Sequence, residues 1–166
     1  MIDLTFKSRS DEEMIIRKAN LDDVEAMHQL VNKYAETGVM LSRPRNMLYE
    51  FIRDFAVAEI DGEIVGTGAL HIMWLDLAEV RAFAVKEAYA AQGIGRRLVE
   101  YFINEAVKLG IPKVFVLTYQ PGFFEKMGFS IVNKESLPQK VWKECINCPK
   151  FPNCDEVCMV RDLDIS

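Results

Sequence analysis

The sequence predicts a mixed α/β fold (an α+β mixed sheet). Three observations predict it. Apolar periodicities of two and of 3.6 alternate along the chain in the order βααβββαβαββ. Asp61-Gly62 separates two β-rich runs and reads as a hairpin turn. The stretch from Val80 to Leu98 reads as a strand that ends at Val85 and a turn, Gln92-Gly93-Ile94-Gly95, opening a long amphipathic helix. Because a hairpin and a meander precede that turn, the order is not that of a doubly wound nucleotide fold.

Each element has its own local signal. Met14 to Lys18 reads as a short strand. Leu21, Val24, Met27, Leu30, Val31 and Tyr34 recur at helical spacing, so Leu21 to Glu36 reads as a helix that Asn20 or Asp22 caps and Gly38 ends. Val39 to Pro44 is a loop, and Asn46 to Asp54 a shorter helix with Met47, Leu48, Phe51 and Ile52 on one side. Phe55 to Ile60, Ile64 to Trp74 and Leu77 to Val85 are strands. From Gly93 to Leu109, Ile94, Leu98, Tyr101, Phe102, Glu105, Ala106 and Leu109 follow the helical period, and Gly110 stops it. Lys113 to Leu117 is a buried strand, Gly122 to Met127 a short helix, Phe129 to Val132 a strand and Met159 to Leu163 a last one.

Composition bounds the function. A chain of 166 residues that is 50% apolar can bury one core, so residues 14–166 read as a single domain and 1–13 as a flexible extension. A net charge of −5 argues against general nucleic-acid binding. No apolar run approaches the roughly 20 residues of a membrane span, and the N-terminus lacks a basic-then-apolar signal pattern, so a cytoplasmic protein is expected. Cys145, Cys148, Cys154 and Cys158 lie together in a cysteine-rich tail (145–158). Cys145 and Cys148 have chelating spacing; the second pair does not. A structural zinc, a disulfide formed on oxidation and packed free thiols all remain open.

The turn at Gly93 is a phosphate-binding device. Its glycines let backbone approach closely, and the N–H groups of the first helical turn point at an anion. Together with Phe123-Phe124-Glu125-Lys126-Met127-Gly128-Phe129, about 30 residues on, it resembles the GNAT acetyltransferase superfamily over Met14 to Val132. The resemblance implies the GNAT acyl-CoA N-acyltransferase fold, a central, mostly antiparallel sheet flanked by helices, with acetyl-CoA as co-substrate. It assigns the cofactor to Ala91, Gln92, Gly93, Ile94, Gly95, Arg96 and Arg97 at the turn, to Phe124, and to the backbone of Phe83, Ala84 and Val85, where the strand splays from its neighbour and an N–H faces the acetyl oxygen. It also implies, by analogy, a homodimer. Two positions depart from the family pattern. Ala90 stands where Arg or Gln is usual, with Gln92, Arg96 and Arg97 nearby to compensate. Phe124 stands where many members carry the tyrosine that protonates the leaving thiolate; either Tyr119 substitutes or the thiolate leaves unassisted.

A finer resemblance is carried by Gly38-Val-Met-Leu-Ser-Arg-Pro-Arg45, Phe55 to Glu59, Glu79 to Val85, Val114-Phe-Val-Leu-Thr118 and Leu137-Pro-Gln-Lys140. These segments look like the acetyltransferase domain of bacterial N-acetylglutamate synthases. The resemblance implies acetyl transfer to the α-amine of L-glutamate, the first step toward arginine. The kinase-like domain that hosts arginine inhibition in longer members has no counterpart in this sequence.

That chemistry requires cations for two carboxylates and a base for the amine. Arg43, Arg45 and Arg81 are the candidate cations. Period 2 puts Arg81, Phe83 and Val85 on one face and Val80, Ala82 and Ala84 on the other. Arg81 either pairs with Glu79 or another acid across the sheet, or holds a substrate carboxylate; Arg43 and Arg45 are otherwise a solvated loop. Glu79 matches an acidic position of the synthase domain and is the first candidate base. His71 is the second, its plain alternative being a strand histidine satisfied by a neighbour. His28 is given no role. Another small amine or a peptide acceptor, or a non-catalytic acyl-CoA-binding module suggested by Phe124, are the competing readings.

Overall fold

The computed structural model describes residues 13–37, 42–90, 92–138 and 156–165. The element order is the expected one. β1 (Met14–Lys18) leads into a 3-10 turn at Leu21–Asp23, then α1 (Val24–Glu36) and α2 (Arg45–Glu50). β2 (Phe55–Ile60), β3 (Glu63–Trp74) and β4 (Leu77–Val85) form a meander, followed by α3 (Ile94–Leu109), β5 (Lys113–Thr118), α4 (Pro121–Lys126), β6 (Ser130–Ile131) and β7 (Val157–Asp162). Among the described residues these strands form one sheet in the order β1-β2-β3-β4-β5-β7-β6. Every pairing in it is antiparallel except β4 with β5.

Local chemistry accounts for the boundaries. Asn20 caps the first helical segment, its side chain accepting from the Asp22 N–H, and Asp23 closes the capping box by accepting from the Asn20 N–H. The segment begins as a 3-10 turn, so the α-helix proper starts three residues later than its apolar period. The expected stop at Gly38 lies outside the described residues. The helix expected over Asn46–Asp54 is instead α2 followed by a separate 3-10 turn, Ile52–Asp54. At the β2–β3 turn both Asp61 and Gly62 have positive φ, 50° and 79°, as a type I′ hairpin requires.

α3 lies flat on one face of the sheet. A Cβ at Gly66 would meet Ile94 and Leu98 at 3.0 Å, and one at Gly68 would meet Phe102 at 2.9 Å, so these two glycines admit the helix. Ile94, Leu98, Val99, Phe102, Ile103 and Ala106 are buried there against Val80, Val114 and Val116. Leu109, counted in the helical stripe by its period, is 56% exposed. On the other face α1 and α2 bury Val24, Met27, Val31 and Leu48 against Phe55, Val57, Ala69 and Ala82. Among the described residues no helix is long and apolar enough to cross a membrane.

Candidate active site

The site is organised by a break in β4. Thr67 pairs with Ala84 but Ala69 pairs with Arg81, so β4 carries one extra residue, and Ala82 takes a φ of 51°. This β-bulge reverses the alternation. Ala78 and Val80 face α3, and so do Phe83 and Val85 beyond the bulge, while Ala82 packs with α1 on the opposite face. Arg81 and Phe83 therefore face opposite sides, which corrects the period-2 expectation that placed them together. β4 and β5 pair at Ala78↔Val114 and Glu79↔Phe115, and no pair beyond these is formed among the described residues. The two parallel strands separate at the height of the bulge.

On the α3 side the split is bordered by the glycine turn. Gly93, at φ 77°, is the N-cap of α3, and no described side chain caps that end of the helix. Its first-turn N–H groups and the positive end of the helix dipole are thus presented outward. The side chain of Ile94 is fully buried, so its contribution to a ligand is its backbone N–H. Arg96 Nε lies 3.1 Å from Glu100 on the exposed helix surface. Arg97 is exposed, and Gln92 donates its N–H to the Tyr89 carbonyl at 3.1 Å. Ala91 lies outside the described residues.

Phe124 is 3% exposed, with ring centroids 5.9 Å from Phe83 and 5.4 Å from Phe129. The neighbouring Phe123 is the half-buried one, its ring 3.2 Å from where a Gly95 Cβ would sit. Sequence reading had not singled out Phe123, yet it borders the turn more directly than Phe124. Tyr34 was also missed, counted only as part of the α1 stripe. Its hydroxyl donates to the Val85 carbonyl, and burial pushes that hydroxyl's pKa up, keeping it a donor. The following N–H, of Lys86, donates to Val65 O at 2.7 Å, so the peptide ending β4 is held from both sides. An open groove of about 710 Å³ runs alongside, lined by Leu30, Lys33, Tyr34, Glu63 and Lys86.

On the opposite face the charged residues meet in a narrow crevice between α2 and the sheet. It is lined by Arg43, Met47, Phe51, Asp54, His71 and Arg81, with Leu48 and Phe55 as its floor. Arg43 is only 6% exposed. Asn32 of α1 fixes its backbone from both sides, accepting from Arg43 N–H at 3.1 Å and donating to Arg43 O at 3.0 Å. Arg43 Nη1 lies 4.0 Å from Met47 Sδ, and Arg81 Nη2 lies 3.8 Å from Met73 Sδ, both soft acceptors. Arg81 Nε sits 3.2 Å from Glu79 Oε1, which realises the expected pair and still leaves Arg81 on the crevice wall.

Glu79 is buried and directly opposite His71 across the β3–β4 ladder. His71 Nδ1 is 2.8 Å from Asp54 Oδ2, and its ring meets Phe51 edge-on at 5.7 Å. Arg45 does not join them: it is exposed and ion-paired with Glu25 of α1. Tyr119 follows the end of β5 and is half-buried; counted on from Glu79↔Phe115, it stands level with the bulge rather than in the crevice.

Cys158 lies on β7, 2% exposed among Leu77, Phe115, Leu137 and Val160. Burial pushes its thiol up to about 11, which opposes the thiolate that metal coordination needs. Cys145, Cys148 and Cys154 lie outside the described residues, and among the described ones no group of three or more His, Cys, Asp or Glu is arranged to hold a metal.

Comparison with known proteins agrees with this architecture. Residues 24–129 match the acetyltransferase (GNAT) family. The chain is 43% identical over 148 residues to an uncharacterized N-acetyltransferase of Chlorobaculum tepidum, covering 89% of this chain and 96% of that one. It is 38% identical over 155 residues to an amino-acid acetyltransferase of Mycobacterium tuberculosis, covering 92% and 82%. Among solved structures, N-acetylglutamate synthase from Neisseria gonorrhoeae, complexed with coenzyme A and N-acetyl-glutamate, superposes with a TM-score of 0.83 at 27% identity. That match covers 92% of this chain but only 35% of the synthase. A Mycobacterium tuberculosis protein crystallised with CoA gives a TM-score of 0.79 at 33% identity, covering 90% of this chain and 99% of that one. With the bulged β4, the split from β5 and the glycine turn at α3 in place, the chain belongs to the GNAT family of N-acetyltransferases.

Proposed function

We propose that this enzyme transfers the acetyl group of acetyl-CoA to the α-amine of L-glutamate. The observation that carries the substrate is the convergence of Arg43 and Arg81, both largely buried, on one crevice. Two guanidinium groups on one wall offer charge-assisted contacts to carboxylates, and a dicarboxylate amino acid supplies two. The crevice has a free volume of only about 10 Å³, so glutamate enters as Met47 turns aside. Met47 is half-buried, and its unbranched side chain can change rotamer while Phe51 stays against His71.

The co-substrate reading rests on the uncapped N-terminus of α3 and the β4–β5 split, and on relatives crystallised with CoA. In this arrangement the pyrophosphate lies over Gly93 to Arg97, and the thioester enters the split beside Phe83 to Val85. The α-ammonium loses its proton to Glu79 or His71, both on the crevice face. The free amine attacks the thioester carbon, the C–S bond breaks, and the oxyanion formed on the way is met by backbone N–H of the β4 end. As the C–S bond breaks, the nitrogen gives up its second proton, which reaches the departing sulfur through Tyr119, the nearby hydroxyl, so the products are the amide and the CoA thiol.

The test is CoA thiol release from acetyl-CoA against a panel of free amino acids, polyamines and basic peptides, with products identified by mass. N-acetylglutamate as the principal product supports the proposal. Release with peptides or polyamines alone discards the substrate and keeps the family. Acetyl-CoA binding without release for any amine contradicts the enzymatic reading.

A further inference from the structure

Asp54 is not part of the phosphate turn, the β4 end or the arginine pair, yet it reaches into the acceptor crevice. It closes the 3-10 turn after α2, where its own N–H donates to Phe51 O at 2.9 Å. The turn is tied to β1 by Lys18 Nζ, which donates to Arg53 O at 3.3 Å. From this fixed position Asp54 Oδ2 meets His71 Nδ1 at 2.8 Å, while Phe51, from the same segment, packs edge-on against the imidazole at 5.7 Å. The ring is thus held by a carboxylate on one edge and an aromatic on its side.

A carboxylate is an acceptor only, so the bond to it puts the imidazole proton on Nδ1. Nε2, across the ring, is then the acceptor nitrogen of the neutral ring. His71 lines the same crevice as Arg43 and Arg81, and stands opposite Glu79 on the adjacent strand. Glu79 is engaged by Arg81 Nε at 3.2 Å. Of the two groups able to accept a proton, the imidazole is therefore the one whose hydrogen bond leaves a bare nitrogen on a residue that lines the crevice.

We propose that Asp54 is a positioning residue that holds His71 in its Nδ1–H form, so that Nε2 takes the proton from the acceptor's α-ammonium. The inference rests on the acetyl-transfer reading above and deepens it by choosing between the two bases. In the step, an N–H bond of the ammonium breaks and the proton moves to Nε2; the electron pair left on nitrogen forms the bond to the thioester carbon as the carbonyl π pair moves onto oxygen, and return of that pair then breaks the C–S bond. Asp54 keeps its charge and stabilises the imidazolium that results.

The test combines Asp54→Asn, Asp54→Glu, His71→Ala and the double variant Asp54→Asn/His71→Ala, each checked for an unchanged melting curve. An asparagine can turn its NH₂ toward Nδ1, which moves the ring proton to Nε2 and removes the acceptor. With whichever amine the wild-type enzyme acetylates, Asp54→Asn is expected to lower kcat about 10-fold or more while the KM for acetyl-CoA stays within about twofold. Asp54→Glu is expected to recover part of that loss. The double variant is expected to be no slower than His71→Ala alone, because Asp54 acts through the ring.

The chain has two histidines, so ¹⁵N spectra of the rings, assigned with His28→Gln, read the tautomer directly. Nδ1–H in the wild type and its loss in Asp54→Asn are expected. An Nε2–H tautomer in the wild type, an Asp54→Asn enzyme within twofold of wild-type kcat, or a double variant slower by the product of the single losses overturns the inference. If no amine is acetylated, the substrate proposal fails on its own terms, and an Nε2–H wild-type spectrum still overturns the role of Asp54.

Discussion

Arg81 Nε lies 3.2 Å from Oε1 of Glu79, two residues back along β4, and both side chains are largely buried, at 15% and 11% exposure. The two residues share a face below the bulge, so the ion pair runs along the strand. Arg81→Ala leaves a buried carboxylate without this guanidinium and is expected to cost about 2–4 kcal/mol in urea unfolding. Glu79→Gln/Arg81→Met is expected to recover at least half of that loss. A double variant as unstable as Arg81→Ala contradicts the coupling.

Ala82 holds the bulge with a φ of 51°, a conformation that costs a residue bearing a Cβ about 1–3 kcal/mol. Relief of that strain and loss of the buried methyl oppose each other, so Ala82→Gly is expected to stay within about 1 kcal/mol of wild type. Ala82→Val adds β-branching and volume at a buried site and is expected to lose about 2 kcal/mol or more, with a fall in kcat as Arg81 and Phe83 lose their opposed orientations. Wild-type stability in Ala82→Val contradicts the bulge.

Much of this architecture is legible in local pattern because local chemistry decides it. The α3 stripe, the Asp61-Gly62 hairpin and the glycine turn each depend on residues within a few positions of one another. The bulge at Ala82 is not legible, since alanine carries no signal for positive φ and period 2 reads straight through it. Asn32 clamping Arg43 and Tyr34 holding Val85 are contacts between distant segments, and both residues sit unremarkably in the α1 sequence. Asp54 was hidden for another reason: it reads as the end of a helix, whereas the chain breaks at Phe51 and turns its carboxylate toward β3. Arg45 shows the reverse, a residue that matches a family segment but follows the helix surface to Glu25.

Asp23 gives the fold a predictable acid limb. Arg17 meets its carboxylate through both terminal nitrogens, at 2.8 and 2.9 Å, and holds its pKa below the usual carboxylate range. Because the native value lies below the unfolded one, the stabilisation is complete above the unfolded value of about 3.9 and is lost as pH falls through the native value. The stability gap between wild type and Asp23→Asn is expected to be constant near neutrality and to shrink with acidification below about pH 4. A gap that does not change down to the acid transition contradicts the linkage.

Cys158, 2% exposed with its thiol pushed up to about 11, is expected to stay protonated and unreactive at pH 8. Iodoacetamide labelling of the native chain, read peptide by peptide, is expected to leave Cys158 unmodified until denaturant is added. Labelling of Cys158 at the rate of an unfolded thiol contradicts its place in β7.

The carboxylate clamp is tested most directly by kcat/KM for L-glutamate in wild type, Arg43→Ala and Arg45→Ala. A buried, charge-assisted contact to a carboxylate is worth about 1.5–3 kcal/mol, so Arg43→Ala is expected to lose about 10- to 100-fold, mainly through the glutamate KM. Arg45→Ala is expected to match wild type, since Arg45 faces Glu25 and solvent. Equal losses in both variants, or an Arg43→Ala enzyme that uses glutamate as well as wild type, would contradict the crevice as the acceptor site.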